Sequence, residues 1–180
     1  MISWWDLNRQ VLGKLSGNLA LADERPFILI DTKTQHLHRI DIEHEESISY
    51  RISTAANGLG NREESYKTPF GILRIKQKIG GGEPAGMVFK GREPTGKISK
   101  RSDNREEDEI TSRIMWLDGM EQGINKGQGY DTFSRYIYIH GTTDEKRIGY
   151  AVSSGCIRMK NADVIDLFEE VLVNDLVVIQ

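Results

Sequence analysis

The sequence predicts a mainly β domain, a sandwich-like fold of roughly seven to nine strands with one or two short helices. Several segments between residues 27 and 140 alternate apolar and polar residues with period two, the pattern of half-buried strands. Clear helical spacing occurs near the C-terminus, where Val164, Ile165, Leu167, Phe168, Val171 and Leu172 make a wide apolar face. Neither a Pro/Ser-rich linker nor a fixed-period repeat divides the 180 residues, a length that suits one domain.

The elements follow in order. Trp4, Trp5, Leu7, Val11, Leu12 and Leu15 predict a short amphipathic helix, so residues 1–25 are expected as a helical extension ahead of a single domain over 26–180. Phe27 to Ile30, bounded by Pro26 and Asp31, reads as a buried strand. His36 to Ile42 and Ile48 to Ile52 alternate as half-buried strands. Ala56 to Asn61 is loop. Phe70 to Ile79 alternates imperfectly, with Phe70, Ile72, Ile75 and Ile79 on the apolar side, and Gly80 to Pro84 breaks the pattern. Residues 91–109 are polar and aperiodic and read as a long surface excursion; with its glycine hinge, Gly80 to Ile110 is a candidate lid. Ile110 to Leu117 and Phe133 to His140 are further strands, the second rich in aromatic and β-branched residues. Asn161 is expected to cap the helix, with Asp163 in its first turn, and Leu176 to Ile179 is the last strand.

Composition excludes several functions. Twenty-four Lys and Arg against 27 Asp and Glu give a charge of −3, without the basic excess of a nucleic-acid binder. No stretch reaches the ~18 apolar residues of a membrane span. The N-terminus shows no basic n-region, apolar run or cleavage site, so the expected compartment is the cytoplasm, or the cell envelope by another export route. With one cysteine, Cys156, no disulfide forms within the chain.

That cysteine sits in Ser153-Ser154-Gly155-Cys156-Ile157-Arg158, a tight-turn sequence shortly before the expected helix. A thiol there would feel the positive end of the helix dipole and the charge of Arg158, both of which lower its pKa. His140-Gly141 ends a strand sixteen residues upstream. A thiol, a turn and an imidazole are the parts of nucleophilic acyl transfer, with N–H groups around Gly155 and Cys156 as oxyanion donors. The residues alone equally allow a buried core cysteine and a strand-end histidine.

The motif Ser153-x-Gly155-Cys156-Ile157-Arg158, preceded by Ile139-His140-Gly141, resembles the active-site signature of the L,D-transpeptidase (YkuD-type) family. Lys67-Thr68-Pro69-Phe70-Gly71 resembles that family's Thr-Pro-x-Gly segment, and Phe27 to Asp31 followed by Gln35-His36-Leu37 is similar to its opening hairpin. The resemblance spans residues 26–180. It implies an L,D-transpeptidase-like β-sandwich acting on peptidoglycan stem peptides or soluble muropeptides, at the bond between an L-centre such as diaminopimelate and D-Ala. It also implies Cys156 as nucleophile, His140 as base and the Gly141 carbonyl as orienter of the ring. Ser153 would bond within the motif and Arg158 would hold the loop or a substrate carboxylate; with Ser154, Gly155 and Tyr138 they are the expected oxyanion or substrate-binding residues. Many members carry His where this chain has Ser154, which removes a second imidazole. An amine acceptor would give transpeptidation and water would give carboxypeptidase trimming, the latter expected of a cytoplasmic protein. A non-catalytic peptidoglycan-binding module of the same fold is the alternative. A general cysteine peptidase usually places Cys before His, the reverse of the order here.

No metal or organic cofactor is expected. His36-x-His38 has a spacing that can bind zinc, but neither these nor His44 gathers further ligands in sequence. Gly80-Gly81-Gly82 lacks the Lys-Ser/Thr of a phosphate loop. Tyr138, two residues before His140 on the same strand face, either lines the groove or packs.

Overall fold

The computed structural model describes residues 26–99 and 108–180; the helix expected within residues 1–25 lies outside them. The described elements are β1 (Phe27–Asp31), β2 (His36–Asp41), β3 (Glu46–Ser53), β4 (Gly71–Ile79), β5 (Met87–Lys90), β6 (Glu93–Ile98), β7 (Ile110–Gly119), β8 (Tyr138–Thr142), a 3-10 turn (Glu145–Arg147), β9 (Ile157–Met159), α1 (Asn161–Glu170) and β10 (Leu176–Ile179). The architecture is mainly β, as expected.

All ten strands join one sheet in the order β4-β10-β1-β2-β3-β9-β8-β7-β5-β6, and an added β4–β7 pairing closes all but β5 and β6 into a ring. The length of β7 allows this. Its residues 114–119 pair with β4, while Thr111 and Ile110 pair with Val88 and Phe89 of β5. Inside the ring, Ile30, Ile52, Leu73, Leu117, Ile139 and Ile157 meet Val164, Leu167 and Phe168 of α1 in the main core. Burial of each such side chain contributes about 1.5–3 kcal/mol. Lys78 Nζ donates to the Val171 carbonyl at 2.6 Å, placing a cation at the helix C-terminus, where the dipole favours it.

Four local expectations are corrected. Residues 93–98 of the expected excursion form β6; all six are exposed at the sheet edge, so no apolar period marks them. In the segment from Phe133 to His140, strand begins only at Tyr138, because Tyr136 turns into the left-handed region at φ 56°. The alternation in β4 is imperfect because a bulge between Ile75 and Gln77 shifts the register. Leu73 and Ile75 point into the main core, while Ile72 joins a second cluster with Phe27, Leu29, Ile40 and Val178. Finally, Lys160 rather than Asn161 is the N-cap of α1, and it makes no side-chain capping bond. The Asn161 amide instead donates to the Thr142 carbonyl at 3.0 Å and to Glu145 at 2.9 Å, and its oxygen accepts from Thr111 at 2.7 Å.

Residues 152–156 approach β9 across a shelf made by residues 54–56. The N–H groups of Val152 and Ser153 donate to the Thr54 carbonyl at 2.8 and 2.9 Å, and Ala56 N–H donates to Ser153 O at 3.0 Å. Thr68, fully buried, locks the two together. Its hydroxyl accepts the Ala55 N–H at 2.9 Å and donates to the Gly155 carbonyl at 3.0 Å. Thr68→Val should therefore leave both groups without that partner and cost about 2–3 kcal/mol, whereas Thr68→Ser should keep most of it. Urea unfolding checks this: a lowered midpoint at unchanged slope for the valine variant is expected.

Candidate active site

The turn that carries the thiol is built by three neighbours. Gly155 has φ 135°, and a Cβ there would sit 3.2 Å from the Ile137 side chain, so both conformation and space require glycine. Ser153, buried, accepts the Gly155 N–H at 3.2 Å and donates to the Cys156 carbonyl at 2.6 Å. The Gly155 N–H is thus already engaged and does not serve as an oxyanion donor. The chain then enters β9, whose parallel register pairs Ile139 with Ile157 and His140 with Arg158. Ile157 and Met159 point into the main core, which turns Cys156 and Arg158 to the other face, the face of Tyr138 and His140. The half-buried thiol accepts the Tyr138 N–H at 3.4 Å and donates to the Tyr136 carbonyl at 3.5 Å.

The thiol does not precede a helix directly. Strand β9 separates it from α1, and the Asn161 N–H in the first turn of that helix already donates to Glu145 at 2.8 Å. Burial dominates and pushes the Cys156 thiol up to about 11, against the smaller lowering effects of the Tyr138 N–H, Arg158 and Arg135. This reverses the expectation from the sequence.

His140 is buried on β8 beside Ile114 of β7. Its Nδ1 lies 2.7 Å from the Gly141 carbonyl. A carbonyl only accepts, so Nδ1 carries the proton and Nε2 keeps its lone pair. Burial holds the imidazole below its ordinary pKa; the Gly141 bond and Asp108 raise it less, and Arg158 lowers it further. Gly141 itself has no room for a side chain, since a Cβ would lie 2.5 Å from the Thr111 carbonyl and 2.8 Å from the Asn161 amide oxygen. The imidazole and the thiol therefore lie on adjacent strands, on one face, one side-chain repeat apart, and both are neutral near pH 7.

Three arginines surround the pair, and each is held differently. Arg158 Nε bonds Asp108 at 2.7 Å, and the other Asp108 oxygen accepts from Thr142. Arg158 thus holds the loop of Asp108. Arg135 donates to the carbonyls of Lys67 at 2.6 Å and Gly60 at 3.1 Å. Arg92 lies over Trp116, 4.8 Å from its centroid, and donates to the Tyr138 hydroxyl at 3.3 Å. Tyr138 both packs, edge-on against Trp116, and ties Arg92 to the thiol strand. Ser154 is exposed and lines a cavity of about 350 Å³ with Glu63, Glu64, Tyr66, Ser134, Arg135 and Ile137. His36 and His38 stack on each other 6.0 Å apart and bond Thr34 and Ser49.

The structure thus brings Cys156, His140, Gly141, Ser153, Gly155, Arg158 and Tyr138 together and leaves Ser154 on the rim. Sequence reasoning missed Asp108 and Arg92, which stand in segments without periodicity, and Arg135, which lies in a segment misread as strand. Thr68 was visible only as a letter of a motif.

The L,D-transpeptidase catalytic domain family, YkuD, matches residues 25–179. A YkuD-named L,D-transpeptidase homologue from Bacillus licheniformis is 30% identical over 132 residues, 70% of this chain and 62% of the relative. A YqjB-named homologue from Bacillus subtilis is 44% identical over 54 residues, 28% of this chain and 31% of that protein. The chain therefore spans less than two thirds of the length of these curated relatives. Among solved structures, L,D-transpeptidase 3 from Mycobacterium tuberculosis aligns with TM-score 0.54 at 13% identity, covering 86% of this chain and 60% of that one. An Enterococcus faecium L,D-transpeptidase aligns with TM-score 0.51 at 16% identity, covering 87% and 50%. The fold is shared with these enzymes, and the match over residues 25–179 shows that the chain belongs to the L,D-transpeptidase catalytic domain family.

Proposed function

We propose that this domain transfers an acyl group of a peptidoglycan stem peptide through Cys156, breaking the bond between an L-centre such as diaminopimelate and the terminal D-Ala. The observation that carries the proposal is the 2.7 Å contact of His140 Nδ1 with the Gly141 carbonyl. It leaves the lone pair on Nε2, on the strand face that Cys156 shares.

The resting pair is a thiol and an imidazole rather than a thiolate and an imidazolium. Proton transfer is then part of the attack. As Sγ bonds to the scissile carbonyl carbon, its proton passes to Nε2. The tetrahedral adduct collapses, the C–N bond breaks, and Nε2–H protonates the departing amine of D-Ala. The thioacyl group is released when an amine or water attacks it, with Nε2 taking that nucleophile's proton. The amine gives a transpeptide and the water a tripeptide. The Gly141 carbonyl holds the ring in one tautomer throughout.

Mass spectrometry of a disaccharide-tetrapeptide incubated with the protein and D-Met tests the reading. Tripeptide or D-Met-exchanged tetrapeptide is expected. Cys156→Ala should abolish both products, and His140→Ala should lower the rate by about 10²–10⁴-fold. No product from the folded wild-type protein would favour the non-catalytic peptidoglycan-binding module instead.

The neutral pair also fixes a pH dependence. Below the lowered pKa of His140 the base is protonated and the rate should fall. Above it the rate should stay level, since the thiol ionises only near 11. Alkylation of Cys156 by iodoacetamide without substrate should rise about tenfold per pH unit from pH 7 to 10. A plateau already reached at neutral pH would mean a preformed thiolate and contradict this account.

A further inference from the structure

Across Tyr138 from Cys156 stands a cation whose hydrogen-bonding capacity is largely unused, Arg92. We propose that Arg92 is a carboxylate-binding residue of the site, gripping a carboxylate of the substrate peptide. This rests on the reading above and adds to it the group by which the substrate is held.

The position fits first. Cys156 packs against the cluster of Met87, Phe89, Ile114, Trp116 and Tyr138. Tyr138 spans the distance between thiol and guanidinium, its N–H on Sγ at 3.4 Å and its hydroxyl on Arg92 at 3.3 Å. Tyr138 thus sets the thiol and the guanidinium one tyrosine side chain apart, so a substrate held at Sγ can carry a carboxylate to Arg92.

Presentation is the second argument. Lys90 pairs with Glu93, and the two residues between them, Gly91 and Arg92, have φ 58° and 72°. This is the primed two-residue hairpin turn, whose left-handed positions favour Gly, Asn and Asp. An arginine there is strained relative to glycine. What it gains is a fixed guanidinium plane, 4.8 Å from the Trp116 centroid and 5.3 Å from that of Tyr136. A strained residue held at the rim of a reactive site motivates a functional reading.

The third argument is the unused fork. Arg158 is paired with Asp108, and Arg135 is spent on backbone carbonyls. Arg92 has five N–H donors and gives one to a neutral phenol. Among the described residues, no carboxylate lies within 4.0 Å of it. Glu83 and Glu93 line the adjoining cavity of about 320 Å³ with Arg92, and Glu93 reinforces its positive charge without occupying it. A planar fork backed by aromatic rings suits bidentate carboxylate recognition.

Two carboxylates of a stem tetrapeptide qualify, that of the terminal D-Ala and that on the diaminopimelate side chain. Calorimetric titration of the tetrapeptide into the full-length Cys156→Ala protein separates them. Adding Arg92→Gly should weaken binding about tenfold or more, and Arg92→Lys should restore part of it. Because glycine accepts the left-handed φ, the Arg92→Gly protein should melt no lower than its parent, which separates a binding role from a structural one. Amidating the gripped carboxylate should weaken the parent by a similar factor and make Arg92→Gly silent. Amidating the other should leave the effect of Arg92→Gly intact, which identifies the source. An Arg92→Gly protein that binds within twofold of its parent would overturn the inference alone. So would Arg92→Gly losses that persist after either amidation. If wild type neither binds nor cleaves the tetrapeptide, the reading of the site falls, and this inference with it.

Discussion

One buried hydroxyl joins the two halves of the site. Thr68 takes the Ala55 N–H and gives its proton to the Gly155 carbonyl, linking the segment after β3 to the turn before β9. Within the turn Ser153 adds its own two bonds, and the backbone of residues 54–56 holds its entrance. The turn in turn sets the first residue of a three-residue strand, β9, wedged between β3 and β8. A slip of one residue would send Cys156 into the core and Ile157 outward. The direction of the thiol is thus decided by a hydroxyl remote in sequence, and the large core under β9 enforces the same register by burying Ile157 and Met159.

The electrostatics follow from how tightly this region is packed. Gly141 lets β8 press against Thr111 and Asn161, closer than any side chain would allow. That closeness buries the imidazole, while the thiol packs half-buried against the cluster of Met87, Phe89, Ile114, Trp116 and Tyr138. Desolvation then opposes charge on both, raising one pKa and lowering the other. The paired Arg158 and Asp108 stand beside them with effects of opposite sign. The Cys156 thiol is thereby held protonated near neutral pH, and the Gly141 carbonyl fixes the tautomer of the His140 ring.

β2, β3 and the face of α1 were legible from period, and β1, β7 and β10 as compact apolar runs. Strands lacking contrast were not. β6 is exposed along its whole length, and β9 is too short to show a period. The failure over residues 133–137 has another cause, since aromatic residues with high strand propensity pack there as a loop against Trp116. Within the site, Cys156, His140, Gly141 and Ser153 were readable as a motif. The helix dipole argument failed because proximity in sequence hid an intervening strand. Arg92 and Asp108 come from unpatterned segments and Arg135 from one misread as strand, and only the tertiary fold brings them to the thiol.

The account stands or falls on a covalent bond to one sulfur. Acid quenching during turnover of the tetrapeptide, followed by digestion and mass spectrometry of the Cys156 peptide, tests it most directly. The account predicts a thioester-labile mass increase on that peptide equal to the substrate less D-Ala, lost on hydroxylamine treatment and absent in Cys156→Ala. Turnover with Cys156 unmodified at every quench time, or an adduct on another side chain, would contradict it.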